Sequence, residues 1–283
     1  MRICATKTLF DYEVGMLKLH QSFEYRGETI AWGKVGTGEP IVLVHGTPFS
    51  SQVWRRIVPW LARTRTVYFH DLLGYGQSTK RAGQDVSLGV QNGAFAALLS
   101  YWNLELPEVV AHDFGGATSL RSHYLNGVQY RRLTLIDPVA IAPWGSPFVQ
   151  HVRHHEQAFV ELPAYAHEAM LAAYLQGAAH HPLSSEAQAI YQEPWKGAEG
   201  QAAFYRQIAQ MDQRFTDEVE TRYSPAPFPV RIIWGEQDQW IPIAQGEKLA
   251  LMLGAIELVR VPNAGHLVQE DAPEAIASLL AAS

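Results

Sequence analysis

Short apolar runs alternate along the chain with segments in which apolar residues recur at helical spacing. Mostly apolar runs with the length and β-branched content of buried strands lie at residues 41–44, 66–70, 108–111 and 132–136. Segments with helical spacing follow at 51–63, 86–102 and 115–125. Arg26-Gly27 adds a turn between two further strand patterns, at 20–25 and 28–34. Because strands that alternate with helices pair in parallel through right-handed crossovers, the pattern predicts an α/β fold, a mostly parallel central sheet flanked by helices.

The alternation stops after residue 138. Residues 139–226 carry helical patterns rich in Tyr, Trp and His and no strand pattern. A strand pattern returns at 229–234, and helix, strand and helix patterns follow at 245–253, 256–261 and 272–280. We therefore predict a core domain of residues 1–138 and 227–283, interrupted by a helical cap domain (the cap) at residues 139–226. Open α/β sheets bind ligands at the carboxyl edge of their strands, so we expect the cap to cover that edge.

Composition narrows the class of partner. The 283 residues carry a formal net charge of −6, which argues against a nucleic-acid or anionic-membrane surface. No apolar run reaches the length of a membrane span, and residues 1–15 lack the apolar segment of a signal peptide and are expected to form a loose extension. The single cysteine, Cys4, cannot form an internal disulfide, which fits a reducing compartment. We therefore expect a cytoplasmic monomer or homodimer with a small-molecule substrate and with no nucleic-acid or membrane partner.

The stretch from Val109 to Ser119 predicts a tight turn from a strand into a helix. Its central polar residue, Asp113, stands among small neighbours that relieve crowding, including Gly115 and Gly116. In a nucleophile elbow this position holds the nucleophile, and the next backbone N–H is aimed at an oxyanion. The alternative interpretation is that Asp113 only caps the helix that follows it.

Two further reactive residues follow the last strand patterns of the chain. Asp238 lies in the loop after 229–234, and His266 lies in the loop after 256–261. Nucleophile, acid and histidine, in this chain order, are what a catalytic triad on this type of sheet requires. Each residue alone would be an ordinary turn or surface residue, but three of them at matching strand ends favour the triad. Asp137, at the end of another strand pattern, is an alternative acid.

Four motifs carry a resemblance to a known family. They are His45-Gly46-Thr47-Pro48, Asp71-Leu72-Leu73-Gly74-Tyr75-Gly76-Gln77-Ser78, His112-Asp113-Phe114-Gly115-Gly116 and Gly265-His266-Leu267-Val268-Gln269-Glu270-Asp271. With these motifs the chain resembles enzymes of the α/β-hydrolase fold superfamily, in the aspartate-nucleophile branch that includes epoxide hydrolases and haloalkane dehalogenases. The resemblance covers nearly the whole chain from Tyr25 and is weakest in the cap.

The resemblance implies a hydrolase in which Asp113 attacks an electrophilic carbon and becomes an alkyl ester. His266, oriented by Asp238, would then take a proton from the water that hydrolyses this ester. By position, the backbone N–H groups of Thr47 and Phe114 are the candidates for stabilising the oxyanion. A carboxylate suits displacement at a saturated carbon, whereas acyl transfer to it from an ester substrate would give a high-energy anhydride.

The leaving group separates the two enzyme types. Dehalogenases of this branch usually have Trp after the nucleophile and Asn after His-Gly, where this chain has Phe114 and Thr47. A Phe side chain has no N–H to offer a halide, which weakens the dehalogenase interpretation. Trp144 and Trp195 of the cap are possible substitutes. Epoxide hydrolases instead use two cap tyrosines to protonate the opened epoxide oxygen, and Tyr205 is predicted for one of these roles.

Tyr165 is predicted for the second tyrosine role, with Tyr174 and Tyr191 as rivals, and Phe204 and Trp144 are expected to line the pocket. The sequence therefore favours an epoxide hydrolase that acts on a small apolar substrate and water. A haloalkane dehalogenase-like hydrolase is the alternative. A relative of the fold that binds a small molecule without turning it over is the alternative of another class.

No cofactor or metal is predicted. The histidine clusters at 151–155 and 180–181 lack the carboxylate or thiolate neighbours that are usual in zinc sites. No glycine-rich phosphate loop with a following Lys is present in the sequence, and residues 33–38 lack a dinucleotide fingerprint. His45 and His112 are expected to be hydrogen-bonding residues beside the site.

Overall fold

A computed structural model describes residues 15–281 of the chain. The strands of this part are β1 (Gln21–Tyr25), β2 (Glu28–Val35), β3 (Glu39–Val44), β4 (Arg65–His70), β5 (Glu108–His112), β6 (Arg132–Ile136), β7 (Val230–Gly235) and β8 (Glu257–Val261). Its α-helices are α1 (Val58–Leu61), α2 (Leu88–Tyr101), α3 (Phe114–Asn126), α4 (Pro147–Val160), α5 (Ala164–Gln176), α6 (Ser185–Gln192), α7 (Gly197–Ala209), α8 (Arg214–Glu220), α9 (Ile243–Leu253), α10 (Val268–Asp271) and α11 (Pro273–Ala281).

The strands form one sheet in the order β1-β2-β4-β3-β5-β6-β7-β8. Strand β2 runs antiparallel to both of its neighbours, and all pairs from β4 to β8 across the sheet are parallel. Strand β5, at the centre, is buried along its whole length, as expected for a strand covered on both faces. The predicted α/β fold with a mostly parallel sheet is confirmed.

Helices α4 to α8 all lie between β6 and β7. The sheet continues across this insertion, because β6 pairs directly with β7. The boundaries predicted for the cap, after residue 138 and before residue 227, fall in the loops on either side of these helices. The division into two domains stays a prediction. No helix in the described part of the chain is long and apolar enough to cross a membrane.

The prediction of one helix over 51–63 was wrong. The chain instead forms a 3-10 helix at Ser51–Trp54 and the separate short helix α1. Pro59 explains the break, because proline has no N–H to donate and is tolerated only in the first turn of a helix, where it lies in α1. The short helix α10 was not predicted. Cys4 and the predicted N-terminal extension, apart from Gly15, lie outside the described residues.

Two glycines allow α3 to lie close against its neighbours. A Cβ at Gly115 would lie 2.5 Å from the carbonyl oxygen of Val44 and 2.7 Å from that of His45, both at the end of β3. A Cβ at Gly116 would lie 2.5 Å from the Cβ of Pro138. Backbone atoms in a packed core cannot move aside as the end of a flexible side chain can. A larger residue at position 115 would therefore push the start of α3 away from the sheet.

We predict that Gly115→Ala destabilises the protein by about 1–3 kcal/mol, as overpacking of a core does. Replacement of Gly by Ala ordinarily stabilises a helix by about 0.5–1 kcal/mol, so the expected sign is reversed at this position. The measurement is the urea midpoint of unfolding. Gly93→Ala in the middle of α2 is the matched control, because a Cβ there meets only the hydroxyl end of Tyr25. A Gly115→Ala protein as stable as the wild type would contradict the tight packing of α3.

Candidate active site

Asp113 stands at the turn from β5 into α3. Its backbone has φ 50° and ψ −118°, a positive-φ conformation that is rare for a residue with a side chain. The carbonyl oxygen of Asp113 accepts the N–H groups of Gly116 at 2.9 Å and of Val139 at 3.2 Å, which hold the turn. The side chain makes no capping hydrogen bond to α3, so the interpretation of Asp113 as a simple helix cap is wrong. The turn has the form of a nucleophile elbow.

The loops after β7 and β8 bring an acid and a histidine to Asp113. Nε2 of His266 lies 3.3 Å from Oδ1 of Asp113, and Nδ1 of His266 lies 2.8 Å from Oδ2 of Asp238. The other carboxylate oxygen of Asp238 accepts the N–H groups of Trp240 at 2.7 Å and of Ile241 at 3.0 Å. The side chains of Asp113, His266 and Asp238 are all buried. The structure therefore places the three residues predicted for the triad in contact.

The carboxylate of Asp113 also meets a backbone donor. The N–H of Thr47 donates to Oδ2 of Asp113 at 2.7 Å. Phe114 is the first residue of α3, so its N–H has no carbonyl partner within the helix. A Cβ at Gly46 would collide with the Asp113 side chain, which explains why a residue without a side chain precedes Thr47. With Oδ2 held by Thr47, Oδ1 is the oxygen that remains to form a new bond.

The charge on His266 depends on its two carboxylate neighbours. Burial by itself lowers the pKa of His266, but the hydrogen bond to Asp238 and the attraction to the charges of Asp238 and Asp113 outweigh this effect. The pKa of His266 is therefore raised well above its ordinary value, which favours the protonated imidazole between the two carboxylates. Loss of the Asp113 charge would remove one of the influences that hold this proton.

Asp137, the alternative acid, is buried beside Asp238 and His266. It follows β6 directly, and its Oδ1 accepts the N–H of Gly235 at 3.0 Å. One side-chain oxygen or nitrogen from each of Asp137, Asp238 and His266 lies within 4.8 Å of the other two. Burial raises the pKa of Asp137 well above its ordinary value, and the charge of Asp238 raises it further. In the structure the imidazole of His266 is hydrogen-bonded to Asp238 and not to Asp137.

A small cavity of about 60 Å³ lies above Asp113. It is lined by Thr47, Asp113, Phe114, Val139, Trp144, Gly145, Ser146, Val149, Tyr174, Met211, Trp240 and Ile241. Tyr174, on α5 of the cap, is the tyrosine among these lining residues. Its hydroxyl forms no hydrogen bond within the described chain. Burial raises the pKa of Tyr174, and the Asp113 carboxylate raises it further. The hydroxyl of Tyr174 therefore keeps its proton and is able to donate it as a hydrogen bond.

Three cap residues predicted to contact substrate lie away from this cavity. The hydroxyl of Tyr205 is hydrogen-bonded to Nδ1 of His167 at 3.0 Å, inside the cap. Tyr165 is 80% exposed on α5. Phe204 packs edge-on against Trp195 and is fully buried. These placements correct the expectation from sequence, because the faces of α5 and α7 that carry the three residues pack within the cap or meet solvent.

The indole groups considered as halide donors are already hydrogen-bonded. Trp144 lines the cavity as predicted, but its N–H donates to the hydroxyl of Thr216 at 2.8 Å. The N–H of Trp195 donates to the carbonyl oxygen of Pro48 at 2.8 Å. Neither N–H is directed at a leaving group above Asp113. Of the tyrosine rivals, Tyr174 lines the cavity, whereas Tyr191 is not among its lining residues.

Gln207, on α7, is a polar residue beside the site that no sequence motif indicates. Its Oε1 accepts the hydroxyl of Thr47 at 2.6 Å and the hydroxyl of Tyr75 at 3.0 Å. Its buried Nε2 has no partner among the described residues. A glutamine within an amphipathic helix has nothing in its local pattern that sets it apart. Only the packing of the cap on the core reveals its contact with Thr47.

His45 and His112 make hydrogen bonds beside the site. Nε2 of His45 accepts the N–H of Leu72 at 2.8 Å, and Nε2 of His112 donates to the carbonyl oxygen of His266 at 2.9 Å. Burial lowers the pKa of both, and that of His112 falls to about 3, so both rings are neutral.

The close approach of Asp137, Asp238 and His266 is compatible with metal ligation by atom type. The hydrogen bond between Asp238 and His266 already explains why these two residues lie close together.

A sheet of this strand order, with Asp113 on a sharp turn after β5, an acid after β7 and a histidine after β8, has the layout of an α/β hydrolase. A model of the alpha/beta hydrolase family matches residues 41–279, and the chain belongs to this family. The match confirms the resemblance to the α/β-hydrolase fold superfamily.

Individual relatives refine this picture. The crystal structure of an alpha/beta hydrolase fold protein from Burkholderia ambifaria is 59% identical, with a TM-score of 0.93, and the match covers 95% of this chain and 99% of that one. Haloalkane dehalogenase 2 of Mycobacterium tuberculosis is 27% identical over 267 residues, which cover 87% of each protein. The structure of the epoxide hydrolase CorEH is 22% identical, with a TM-score of 0.73 over 92% of this chain and 96% of that one, and shares the fold.

We predict that Asp113→Asn lowers the pKa of His266, because it removes the negative charge that faces Nε2. The measurement is a pH titration of the His266 ring by NMR, on protein whose mass has been verified. Asp212→Asn, which neutralises a surface carboxylate paired with Arg153, is the control and should leave the titration of His266 in place. If the pKa of His266 were the same in Asp113→Asn and wild type, the proposed coupling of the two charges would be refuted.

Proposed function

We propose that the protein is a hydrolase that opens small, largely apolar epoxides through Asp113 and releases the diol with water. The observation that carries this proposal is the content of the cavity above Asp113. It brings a carboxylate in the nucleophile position together with a cap tyrosine, Tyr174, whose hydroxyl is unpaired in the described chain. A carboxylate attacks a strained saturated carbon well, and a phenol can protonate the oxygen that leaves.

In the first step Oδ1 of Asp113 forms a bond to an epoxide carbon, and the carbon–oxygen bond of the ring breaks. The electron pair of that bond goes to the epoxide oxygen, which takes the proton of the Tyr174 hydroxyl. Oδ2, held by the N–H of Thr47, becomes the carbonyl oxygen of the alkyl ester. The proton of the His266 imidazolium then restores the Tyr174 hydroxyl, because the esterified Asp113 no longer holds that proton by its charge. A neutral imidazole remains.

In the second step the neutral imidazole of His266 takes a proton from a water molecule, whose oxygen attacks the ester carbonyl of Asp113. The developing oxyanion lies at Oδ2, against the N–H of Thr47 and next to that of Phe114. One such donor is typically worth about 3 kcal/mol in the transition state. Collapse of the intermediate breaks the bond to the alkyl oxygen, which takes the carboxyl proton and leaves as the diol. Asp113 is again a carboxylate, and His266 is again protonated.

The size of the cavity favours short substrates. At about 60 Å³ it is much smaller than the ~150 Å³ of an engineered apolar cavity that binds benzene. A short aliphatic epoxide such as 1,2-epoxypropane or 1,2-epoxybutane is therefore a better first substrate than an aryl epoxide. The apolar side chains of Val139, Val149 and Met211 would surround its carbon chain.

We predict that His266→Ala accumulates a covalent adduct on Asp113 when it is incubated with 1,2-epoxybutane. The ester still forms, but no base remains to activate water for its hydrolysis. Intact-mass spectrometry should show a gain of one substrate mass, and peptide mapping should place it on Asp113. The double variant Asp113→Ala, His266→Ala is the control and should stay unmodified. An unmodified His266→Ala protein, with a substrate that the wild type turns over, would contradict attack by Asp113.

We predict that Tyr174→Phe lowers kcat/KM for 1,2-epoxybutane by about 10²–10⁴-fold, the usual contribution of a general acid. Tyr205→Phe and Tyr165→Phe are matched controls on the cap, since the first hydroxyl is hydrogen-bonded to His167 and the second residue is exposed. Both controls should turn over the epoxide within a few-fold of the wild-type rate. If Tyr205→Phe lowered kcat/KM more than Tyr174→Phe did, Tyr205 and not Tyr174 would be the general acid, against the proposal.

Cleavage of carbon–halogen bonds is the second candidate, favoured by the identity to haloalkane dehalogenase 2 of Mycobacterium tuberculosis. The hydrogen bonds of Trp144 and Trp195 to protein acceptors speak against it. The experiment is a parallel assay of diol release from 1,2-epoxybutane and halide release from 1-bromobutane. Halide without diol would replace the epoxide proposal. Saturable binding with neither product would identify a non-catalytic binding protein, and hydrolysis of simple esters alone would refute the aspartate chemistry.

A further inference from the structure

The site contains one more carboxyl group than the proposed reaction uses. Asp137 is fully buried at the end of β6, and its Oδ1 accepts a single N–H, that of Gly235, at 3.0 Å. Its Oδ2 has no hydrogen-bond partner within the described chain. Asp238 and His266 are its neighbours, since one side-chain oxygen or nitrogen of each of the three residues lies within 4.8 Å of the others. A buried oxygen without a partner is uncommon and calls for a physical explanation.

The charges around His266 provide that explanation. Asp113 faces the imidazole from the turn after β5, Asp238 faces it from the loop after β7, and the ring of His112 on β5 is neutral. An ionised Asp137 would add a third negative charge around one imidazolium among fully buried side chains. A buried charge that lacks its own partner is strongly unfavourable, and such a group takes up a proton instead.

Asp238 is the better-satisfied carboxylate of the pair. It accepts two backbone N–H groups and the N–H of His266, whereas Asp137 accepts one backbone N–H. We propose that Asp137 is protonated at neutral pH and donates its proton in a hydrogen bond to Asp238. The two carboxyl groups then share one negative charge, and Asp137 is a positioning residue that holds Asp238 against His266. Burial, together with the charge of Asp238, raises the pKa of Asp137 in the direction that this arrangement requires.

The backbone at position 137 makes a clean test possible. Asp137 has φ 41°, in the left-handed region that Asn and Asp tolerate better than other residues with side chains. Asp137→Asn is therefore compatible with the native backbone, and it presents an amide N–H where we place the carboxyl O–H. Asp137→Ala removes the donor. Stability and NMR measurements need no substrate, so their outcome is independent of the proposed epoxide chemistry.

The first test compares the unfolding of the wild type and Asp137→Asn in urea as pH rises. A group whose pKa is raised by folding stabilises the folded state below its unfolded pKa of about 3.9, and that stabilisation is lost as pH rises toward the folded pKa. From about pH 5 upward, the wild-type unfolding constant should therefore increase about tenfold per pH unit relative to that of Asp137→Asn, until Asp137 ionises. A ratio that is independent of pH, or that changes in the opposite direction, would show an ionised Asp137 and overturn the proposal.

Carbon NMR of aspartate carboxyl groups gives the same information in the wild type itself, and Asp137→Asn serves only to assign the signal. One carboxyl signal, absent from Asp137→Asn, should keep the chemical shift of a protonated group at pH 7.

The corresponding kinetic test, which rests on the proposed function, is rescue. Asp137→Ala should lower kcat by about tenfold to a hundredfold through misplacement of Asp238, and Asp137→Asn should recover most of that loss. Equal losses in both variants would mean that Asp137 acts through a negative charge, against the proposal.

Discussion

The strained turn at Asp113, with its positive φ, is the constraint on which the rest of the site depends. A residue with a side chain in such a conformation costs about 1–3 kcal/mol, and it persists only where the surrounding structure allows no alternative. Here Gly115 lets α3 lie directly on the end of β3, and β5 is buried along its whole length. The packing of the sheet therefore offsets the strain of the turn, and the carboxylate of Asp113 is directed at the loops that carry Asp238 and His266.

The chemistry of the site follows from the balance of its buried charges. The imidazolium of His266 lies between the carboxylates of Asp113 and Asp238. Because little water screens charges in such a place, the loss of one carboxylate charge changes the proton affinity of the imidazole strongly. On the proposed mechanism, alkylation of Asp113 removes that charge and releases the proton of His266 at the step that needs a base. On this mechanism, formation of the ester itself prepares the base that hydrolyses it.

The residues at strand ends could be predicted from the sequence, because apolar runs show where strands end and parallel strands bring those ends to one edge. Asp113, Asp238 and His266 are placed in this way. The cap could not be predicted with the same success, since the side of a helix that faces the site depends on contacts with residues distant in sequence. Tyr174 and Tyr205 both lie on cap helices, yet only Tyr174 lines the cavity, because His167 holds the hydroxyl of Tyr205 inside the cap.

Polar contacts hold the cap on the core, and one of them leads to Asp113. These contacts include the hydrogen bonds of Arg55 to Tyr191, of Trp195 to the carbonyl oxygen of Pro48, and of the Thr47 hydroxyl to Gln207. The last one differs from the others, because Thr47 also donates its backbone N–H to Asp113. Two successive interactions of one residue thus join α7 of the cap to Asp113. A displacement of α7 would break the side-chain contact of the residue whose backbone N–H holds Oδ2 of Asp113, so the position of the cap and the geometry at Asp113 are linked through Thr47.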